Sequence, residues 1–375
     1  MELDHSLHWL GLALAPGLAS RLTAKLLRNF GSPEAVFGAS LTELEACQLP
    51  APAAQAIRSQ DPLKAAAKEL DQLKKLGCRL VNWGEPEYPK RLLEIYDPPP
   101  LLYVRGDPAV LTRHSISIVG TRRPTPYGNQ MAERLSRDLA DRGLVIVSGL
   151  ARGIDSSAHK GACAVARGAT VAVLGNGIDV IYPKENKKLF ALVEQRGAII
   201  TEFPLGFYPA PENFPIRNRI VAGMPLGVVV VEGAQYSGSL ITARLAMEFN
   251  REVYGVPGNV TQPTSFAPNQ LIKQGAKLVM GWEDVVEELP TEVRAELFPV
   301  EPTTAEQRAT LFEAALSPTQ KQLYDLLGTD APRHVDELVE QSGLSSSAVL
   351  AALFDLEMKS LVRQMPGKQF VKVLL

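Results

Sequence analysis

Between residues 115 and 280 the chain alternates short, continuous apolar runs with longer stretches whose apolar positions recur at helical spacing. The runs are SISIV at 115, LVIVS at 144, TVAVL at 170, GAIIT at 197, GVVVVE at 227, EVYGV at 252 and KLVM at 277. Uninterrupted apolar strands need cover on both faces. Separated by amphipathic helices, they predict a doubly wound, Rossmann-like α/β core with a parallel sheet over 113–289. One helix start is explicit. Thr125 stands as N-cap, Pro126 takes the first helical position, and Met131, Leu135 and Leu139 form an apolar face to about residue 142.

The flanks follow other patterns. Residues 1–80 hold short amphipathic runs broken at Pro16-Gly17, Gly31-Ser32-Pro33 and Pro50-Ala51-Pro52, which predicts a small helical domain. The turn at Ala15–Leu18, with Leu22, Leu26, Leu27 and Phe30 behind it, resembles a helix-hairpin-helix or sterile-alpha-motif unit, but a plain packing hairpin is the favoured reading. Pro and aromatic residues crowd 81–112, among them Trp83, Tyr88, Tyr96 and Pro98–Pro100, and suggest an extended connector. Residues 290–316 read as a flexible linker. From 317 to 375 the order is three short helices, with a bend at Ser342–Ser345, and then two short strands around Gly367-Lys368, the plan of a winged helix.

Composition narrows the classes. The 375 residues are 46% hydrophobic and 21% charged, with a formal net charge of −2, so any polyanion site has to be a local patch. Cys47, Cys78 and Cys163 lie far apart and suit neither a disulfide framework nor a zinc set, which points to a reducing cytoplasm. Acidic Glu2 and Asp4 precede the first apolar run where a secretory signal would carry positive charge, and no stretch is long enough for a membrane span. His5 and His8 are the only histidines at metal-ligand spacing, so neither a metal nor a cofactor is expected.

Ligands of doubly wound sheets bind beyond the carboxyl ends of the strands, so the residues after each apolar run carry the information. They are Gly120-Thr121-Arg122-Arg123, then Ser148-Gly149-Leu150-Ala151-Arg152-Gly153-Ile154-Asp155, Gly175-Asn176-Gly177, and Glu232-Gly233 with Ser237-Gly238-Ser239. Glycine at such a turn lets a ligand approach the backbone, and the following helix start presents amides to an anion. Tight packing alone would also place glycine at any one of these turns; several together, with arginines beside them, favour a multi-point phosphate receptor. Phe214-Pro215-Ile216-Arg217-Asn218-Arg219 adds an aromatic among cations, the combination that stacks a base while neutralising its backbone, although a core Phe fits the same letters. Tyr182-Pro183-Lys184-Glu185-Asn186 contributes one more cation on a rim loop. Asp155 and His159 stand at i and i+4; helix capping by Asp155 with local packing of His159 is the favoured reading over an acid/base pair with a nearby serine.

VGTRRPTPYG at 119–128, SGLARGIDSSAH at 148–159, VLGNGIDVIYPKEN at 173–186, TEFPLG at 201–206, FPIRNRIVAG at 214–223 and VEGAQYSGSLITA at 231–243 resemble the successive signatures of the DNA-processing protein A (DprA/Smf) family. The resemblance spans 113–289 and extends more loosely to both flanks. It implies a non-enzymatic bacterial cytoplasmic protein of natural transformation, or competence, and DNA recombination. Such a protein binds single-stranded DNA, forms a homodimer through its Rossmann-like core, and loads RecA recombinase in place of single-strand-binding protein. By motif match the DNA contacts would be Gly120, Thr121, Arg122, Arg123, Ser148, Gly149, Lys184, Asn186, Phe214, Arg217 and Asn218; the strand-exit reading adds Ser237, Gly238 and Ser239.

Two segments depart from the family pattern. Ser265-Phe266-Ala267-Pro268-Asn269 lacks the usual glycine, and Pro211-Glu212-Asn213 lacks a cation some relatives carry. The runner-up is a nucleotide-processing hydrolase of the phosphoribohydrolase kind, but the P-G-G-x-G-T-x-x-E segment of those enzymes is absent, and Glu232–Gly238 stands there instead. The tail carries six Lys/Arg (321, 333, 359, 363, 368, 372) against seven Asp/Glu (325, 330, 336, 337, 340, 355, 357), and its helix Ser345–Met358 has no cation. A protein-contact or regulatory role for the tail is therefore favoured over duplex binding through Arg363, Lys368 and Lys372.

Overall fold

The computed structural model describes residues 2–298, 316–328, 332–359 and 361–373, without the side chains of residues 2–5, so His5 lies outside the description. The chain divides into two compact units, 1–298 and 299–375.

The first unit is built on a nine-stranded sheet. Its strands are β1 (Arg79–Asn82), β2 (Leu101–Gly106), β3 (Ser115–Val119), β4 (Val145–Ser148), β5 (Thr170–Val173), β6 (Gly197–Thr201), β7 (Gly227–Val230), β8 (Glu252–Gly255) and β9 (Lys277–Leu278). They lie in the order β1-β2-β6-β5-β4-β3-β7-β8-β9. From β6 to β9 neighbouring strands are parallel, in agreement with the apolar runs. β3 through β7 are buried along their whole length because helices cover both faces. The chain winds outward from β3 toward β6 and then returns to lay β7 on the other side of β3. The switch point of the fold is therefore the crevice between the β3 and β7 exits.

Segment 81–112 is not a connector. β1 and β2 form an antiparallel pair, and β2 adds antiparallel to β6, so this stretch extends the sheet by two strands. The prolines sit between the strands, where Trp83 Nε1 (2.8 Å) and the Tyr88 hydroxyl (2.6 Å) both donate to the Pro99 carbonyl and hold the loop down. β2 is only six residues long, and its side chains alternate between two cores: Leu102 and Val104 on one face, Leu101 and Tyr103 on the other. The start of the segment expected as a linker, 290–316, is structured. Thr291–Leu297 is a helix whose Val293 is buried against the core with Leu297 beside it, while residues 299–315 lie outside the description.

The front residues fold as the broken pattern predicts, into the helices Glu2–Leu14, Ser20–Phe30, Pro33–Gly38, Leu41–Ala46, Ala51–Ser59 and Asp61–Lys75. Ser32 accepts from the Ala35 amide at 3.2 Å, and Ser40 closes a capping box with Glu43. These helices have an apolar centre of their own around Leu26, Phe37 and Ile57, yet Trp9 and Leu10 share a second core with Leu101 and Tyr103 of the sheet. Trp9 meets Trp83 edge-on at 5.9 Å.

In the second unit, helices Pro318–Leu326, Val335–Ser342 and Ser346–Met358 pack around Leu323, Leu338 and Leu353. The antiparallel strands β10 (Arg333–His334), β11 (Val362–Met365) and β12 (Gln369–Lys372) complete a winged helix, in the order β10-β12-β11. Gly343 ends the second helix at φ +67°, a left-handed conformation in which any other residue would be strained. Among the described residues of both units, no helix is long and apolar enough to cross a membrane.

Candidate functional site

A cleft of about 570 Å³ lies at the switch point. The β3 exit forms one wall. Gly120 packs where a side chain would run into Ile154 and the Glu232 carbonyl, so the Thr121 amide can donate to that carbonyl at 2.7 Å. The Thr121 carbonyl accepts from Ile154 N at 3.2 Å, and its hydroxyl accepts from Arg123 N at 3.2 Å. The turn is thus pinned on both sides through its backbone, while the Arg122 and Arg123 side chains stay exposed along the cleft. The buried Glu232 carboxylate accepts from Thr125 N (2.9 Å) and Thr125 Oγ1 (2.6 Å), which fixes the start of helix Pro126–Asp141 beside the same turn.

The β4 exit closes over two buried charged groups, Asp155 and Arg217, each bonded to the backbone. Asp155 Oδ2 accepts from the amides of Gly149 (3.1 Å) and Ala151 (3.4 Å). Asp155 thus ties a loop together, and the helix Ile154–Cys163 starts without a side-chain cap. Arg217 donates to the Gly149 carbonyl at 2.9 Å and to the Val173 carbonyl, and its Nε bonds Asn218 Oδ1 at 3.2 Å. A side chain at Gly149 would collide with that guanidinium. Burial lowers the Arg217 pKa to about 10 against the pull of Asp155, and burial raises the Asp155 carboxyl against the pull of Arg217.

Phe214 forms the floor between these walls. Its half-buried ring has the Arg122 guanidinium 5.1 Å from its centroid, Arg217 at 5.9 Å, and the Tyr182 ring at 5.8 Å with 31° between planes. Gly175 makes room for the edge of the ring. On the far side, Ser237 and Ser239 bond each other through their hydroxyls at 2.7 Å. Helix Gly238–Glu248 therefore begins at the cleft with no side-chain cap, and its positive end faces the space where an anion would lie.

Of the residues singled out from the sequence, Gly120, Thr121, Arg122, Arg123, Gly149, Phe214, Arg217, Asn218, Ser237, Gly238 and Ser239 all line this cleft. Three do not. Ser148 is buried and donates to the Ile118 carbonyl at 2.7 Å. Asn186 donates to the Leu150 carbonyl (2.9 Å) and to Ser156 Oγ (3.0 Å), holding two loops together. Lys184 is exposed in the short 3₁₀ turn Lys184–Asn186. Tyr182 and Thr242 line the cleft without having been singled out as contacts; Tyr182 is 39% exposed, and the sequence shows only that an aromatic stands there before a proline.

Asp155 and His159 make no acid/base pair: Asp155 binds amides, and His159 Nδ1 lies 2.7 Å from Thr170 Oγ1. The departing segment Ser265–Asn269 closes without its glycine. Asn269 accepts from Gly258 N (3.1 Å) and donates to Gly258 O (2.9 Å), and the Ala267 amide donates to Gly233 O at 2.8 Å.

The model of the family described as DNA recombination-mediator protein A matches residues 79–290, and a DprA winged helix domain model matches 305–368. Protein Smf of Escherichia coli (strain K12) is 38% identical over 307 residues, 82% of this chain and 80% of that protein. DNA processing protein DprA of Bacillus subtilis (strain 168) is 41% identical over 62% of this chain and 82% of its own length. The X-ray structure of DNA processing protein A from Streptococcus pneumoniae superposes with TM-score 0.67 at 33% identity, covering 76% of this chain and 98% of that one. A Helicobacter pylori structure, described for the single-stranded DNA binding mode of its DNA processing protein A, gives TM-score 0.51 at 31% identity over 56% of this chain and 94% of its own. The 79–290 match covers more than half of the chain, and with the Escherichia coli relative it places this chain in the DNA recombination-mediator protein A (DprA/Smf) family.

Proposed function

We propose that the cleft binds single-stranded DNA, with Arg122 gripping phosphate and the Phe214 ring receiving a base. The observation that carries this reading is the placement of an exposed guanidinium over a half-buried aromatic face, between a pinned glycine turn and an uncapped helix start. Single strands call for this pairing, since stacking tolerates any base and the cation follows the backbone. A duplex keeps its base faces stacked inside and offers nothing to Phe214. The single-stranded DNA binding described for the Helicobacter pylori relative supports the same reading.

The finer role follows from the family. The chain would act as a homodimer in the bacterial cytoplasm, hold DNA entering by natural transformation, and pass it to RecA recombinase in place of single-strand-binding protein. The role is one of binding and handing over: Asp155 and His159 are committed to the fold, and both are buried. Anisotropy titrations with a single-stranded oligonucleotide, the matching duplex and a mononucleotide test it. The single strand should bind most tightly. A mononucleotide binding as tightly as the oligonucleotide would replace the mediator with the nucleotide-processing hydrolase.

A further inference from the structure

The opposite rim of the sheet carries a second cavity, of about 470 Å³, where β3 and β7 begin. Arg113, His114 and Ser115 lead into β3 there, Met224 precedes β7, and Lys90 and Arg91 come from the short helix Lys90–Leu93. Ligands of doubly wound sheets ordinarily bind at the other rim, so the charge collected here is not explained by the cleft already described.

Three cations, Lys90, Arg91 and Arg113, line this cavity against one carboxylate, Glu94, in a chain whose formal net charge is −2. Glu94 is already taken: it pairs with Arg251 at 2.9 Å. Arg251 is 7% exposed and also donates to the Gly223 carbonyl (3.0 Å) and the Arg91 carbonyl (2.7 Å), anchoring the Lys90–Glu94 backbone to the sheet. The anchoring brings two guanidiniums together. Burial and the neighbouring Arg251 both lower the Arg91 pKa, against the pull of Glu94. Among the described residues, no ion pair or side-chain hydrogen bond engages Lys90 or the Arg91 guanidinium. Arg113 bonds only the Gly143 carbonyl (3.1 Å), and His114 meets Glu296 at 2.9 Å. Pro89, Leu111 and Met224 supply an apolar wall.

We infer that this amino-end cavity is a second anion site that binds a phosphate group, with the apolar wall receiving the base or sugar attached to it. Its volume falls in the range that holds a small ligand. A phosphate presents several acceptor oxygens to a guanidinium and an ammonium at once, and it would add a second negative charge beside Glu94 to offset the Arg91–Arg251 repulsion. The phosphate could belong to a free nucleotide or to a DNA strand, and the two sources differ in how they bind.

Hydrogen exchange of the full chain, with and without inorganic phosphate, dAMP or a single-stranded oligonucleotide, tests the inference locally. Segments 89–94 and 111–115 should be protected, in the wild type, by at least one phosphate-bearing probe. Protection by dAMP marks a nucleotide site, and protection by the oligonucleotide alone marks a strand site. In the double variant Lys90→Glu, Arg91→Gln the ligand concentration needed should rise at least about tenfold, with an unchanged thermal midpoint. Lys90→Arg should keep the protection, since it keeps the charge. No protection from any of the three probes, or protection that survives the double variant, overturns the proposal.

Discussion

Arg122 and Arg217 read alike in the sequence and differ in the fold. Both guanidiniums lie within 6 Å of the Phe214 ring centroid, at 5.1 and 5.9 Å. Arg122, on the β3 exit, is exposed; Arg217, on the helix Asn213–Gly223, is 5% exposed and bonded to two strand-exit carbonyls. One arginine is available to a ligand, while the other holds the floor on which the ligand would lie. A basic residue beside a ligand cleft therefore takes its role from its burial and its existing partners.

Stability should separate the two most widely. Removing the Arg217 side chain takes a nearby positive charge from the buried Asp155 and the guanidinium donor from the Gly149 and Val173 carbonyls. Arg217→Ala should cost about 2–4 kcal/mol of unfolding free energy. Arg122→Ala, which removes an exposed side chain, should change it by less than about 0.5 kcal/mol. Equal costs in a denaturant titration would erase the distinction.

The same buried block gives the chain a pH response. The Thr170 hydroxyl donates to the Ile146 carbonyl at 2.6 Å, so His159 Nδ1 is assigned as the donor to Thr170, and Nε2 is left buried with no partner. Burial pushes the His159 pKa from 6.5 down to about 3. The unfolded chain then binds one more proton than the folded chain between those values. Stability should be fully present above pH 6.5 and fall by about 1.4 kcal/mol for each pH unit below it, until pH about 3. A His159→Gln variant with an unchanged acid limb would show that another group is responsible.

Phe214→Ala should weaken single-strand binding by about 1–3 kcal/mol, the value of one base stacked on an aromatic ring, and should leave binding of a bare phosphate as it was. An unaltered oligonucleotide affinity would return Phe214 to the core reading. The winged helix supplies the smallest effect. Its helix Ser346–Met358 exposes Leu350 (48%), Phe354 (62%) and Met358 (72%) and no cation, and Lys372 of its third strand is already drawn over the Tyr324 ring at 4.2 Å. Phe354→Ala should leave single-strand affinity within about 0.5 kcal/mol of wild type. A larger loss would move DNA recognition back toward the tail.

The sequence made the parallel core legible because its buried strands are largely apolar runs, and it made the cleft legible because Gly120 and Gly149 stand directly after such runs and Ser237–Ser239 a few residues beyond another. β1 and β2 escaped because they enclose a proline-rich loop, and composition follows the loop. The structural bonds of Ser148, Asn186 and Arg217 were hidden for a different reason: their partners are the carbonyls of Ile118, Leu150, Gly149 and Val173, all of them 30 or more residues away. Whether a polar group near a rim faces a ligand or a carbonyl is decided by packing between distant segments, and local spacing carries no record of it.

The salt dependence of single-strand affinity, compared between wild type and Arg122→Ala, tests the central claim most directly. If the Arg122 guanidinium neutralises a phosphate, the logarithm of affinity should fall steeply with the logarithm of salt in the wild type, and the slope should flatten by about one in the variant. Parallel lines with the same slope would take Arg122 off the DNA and contradict the account.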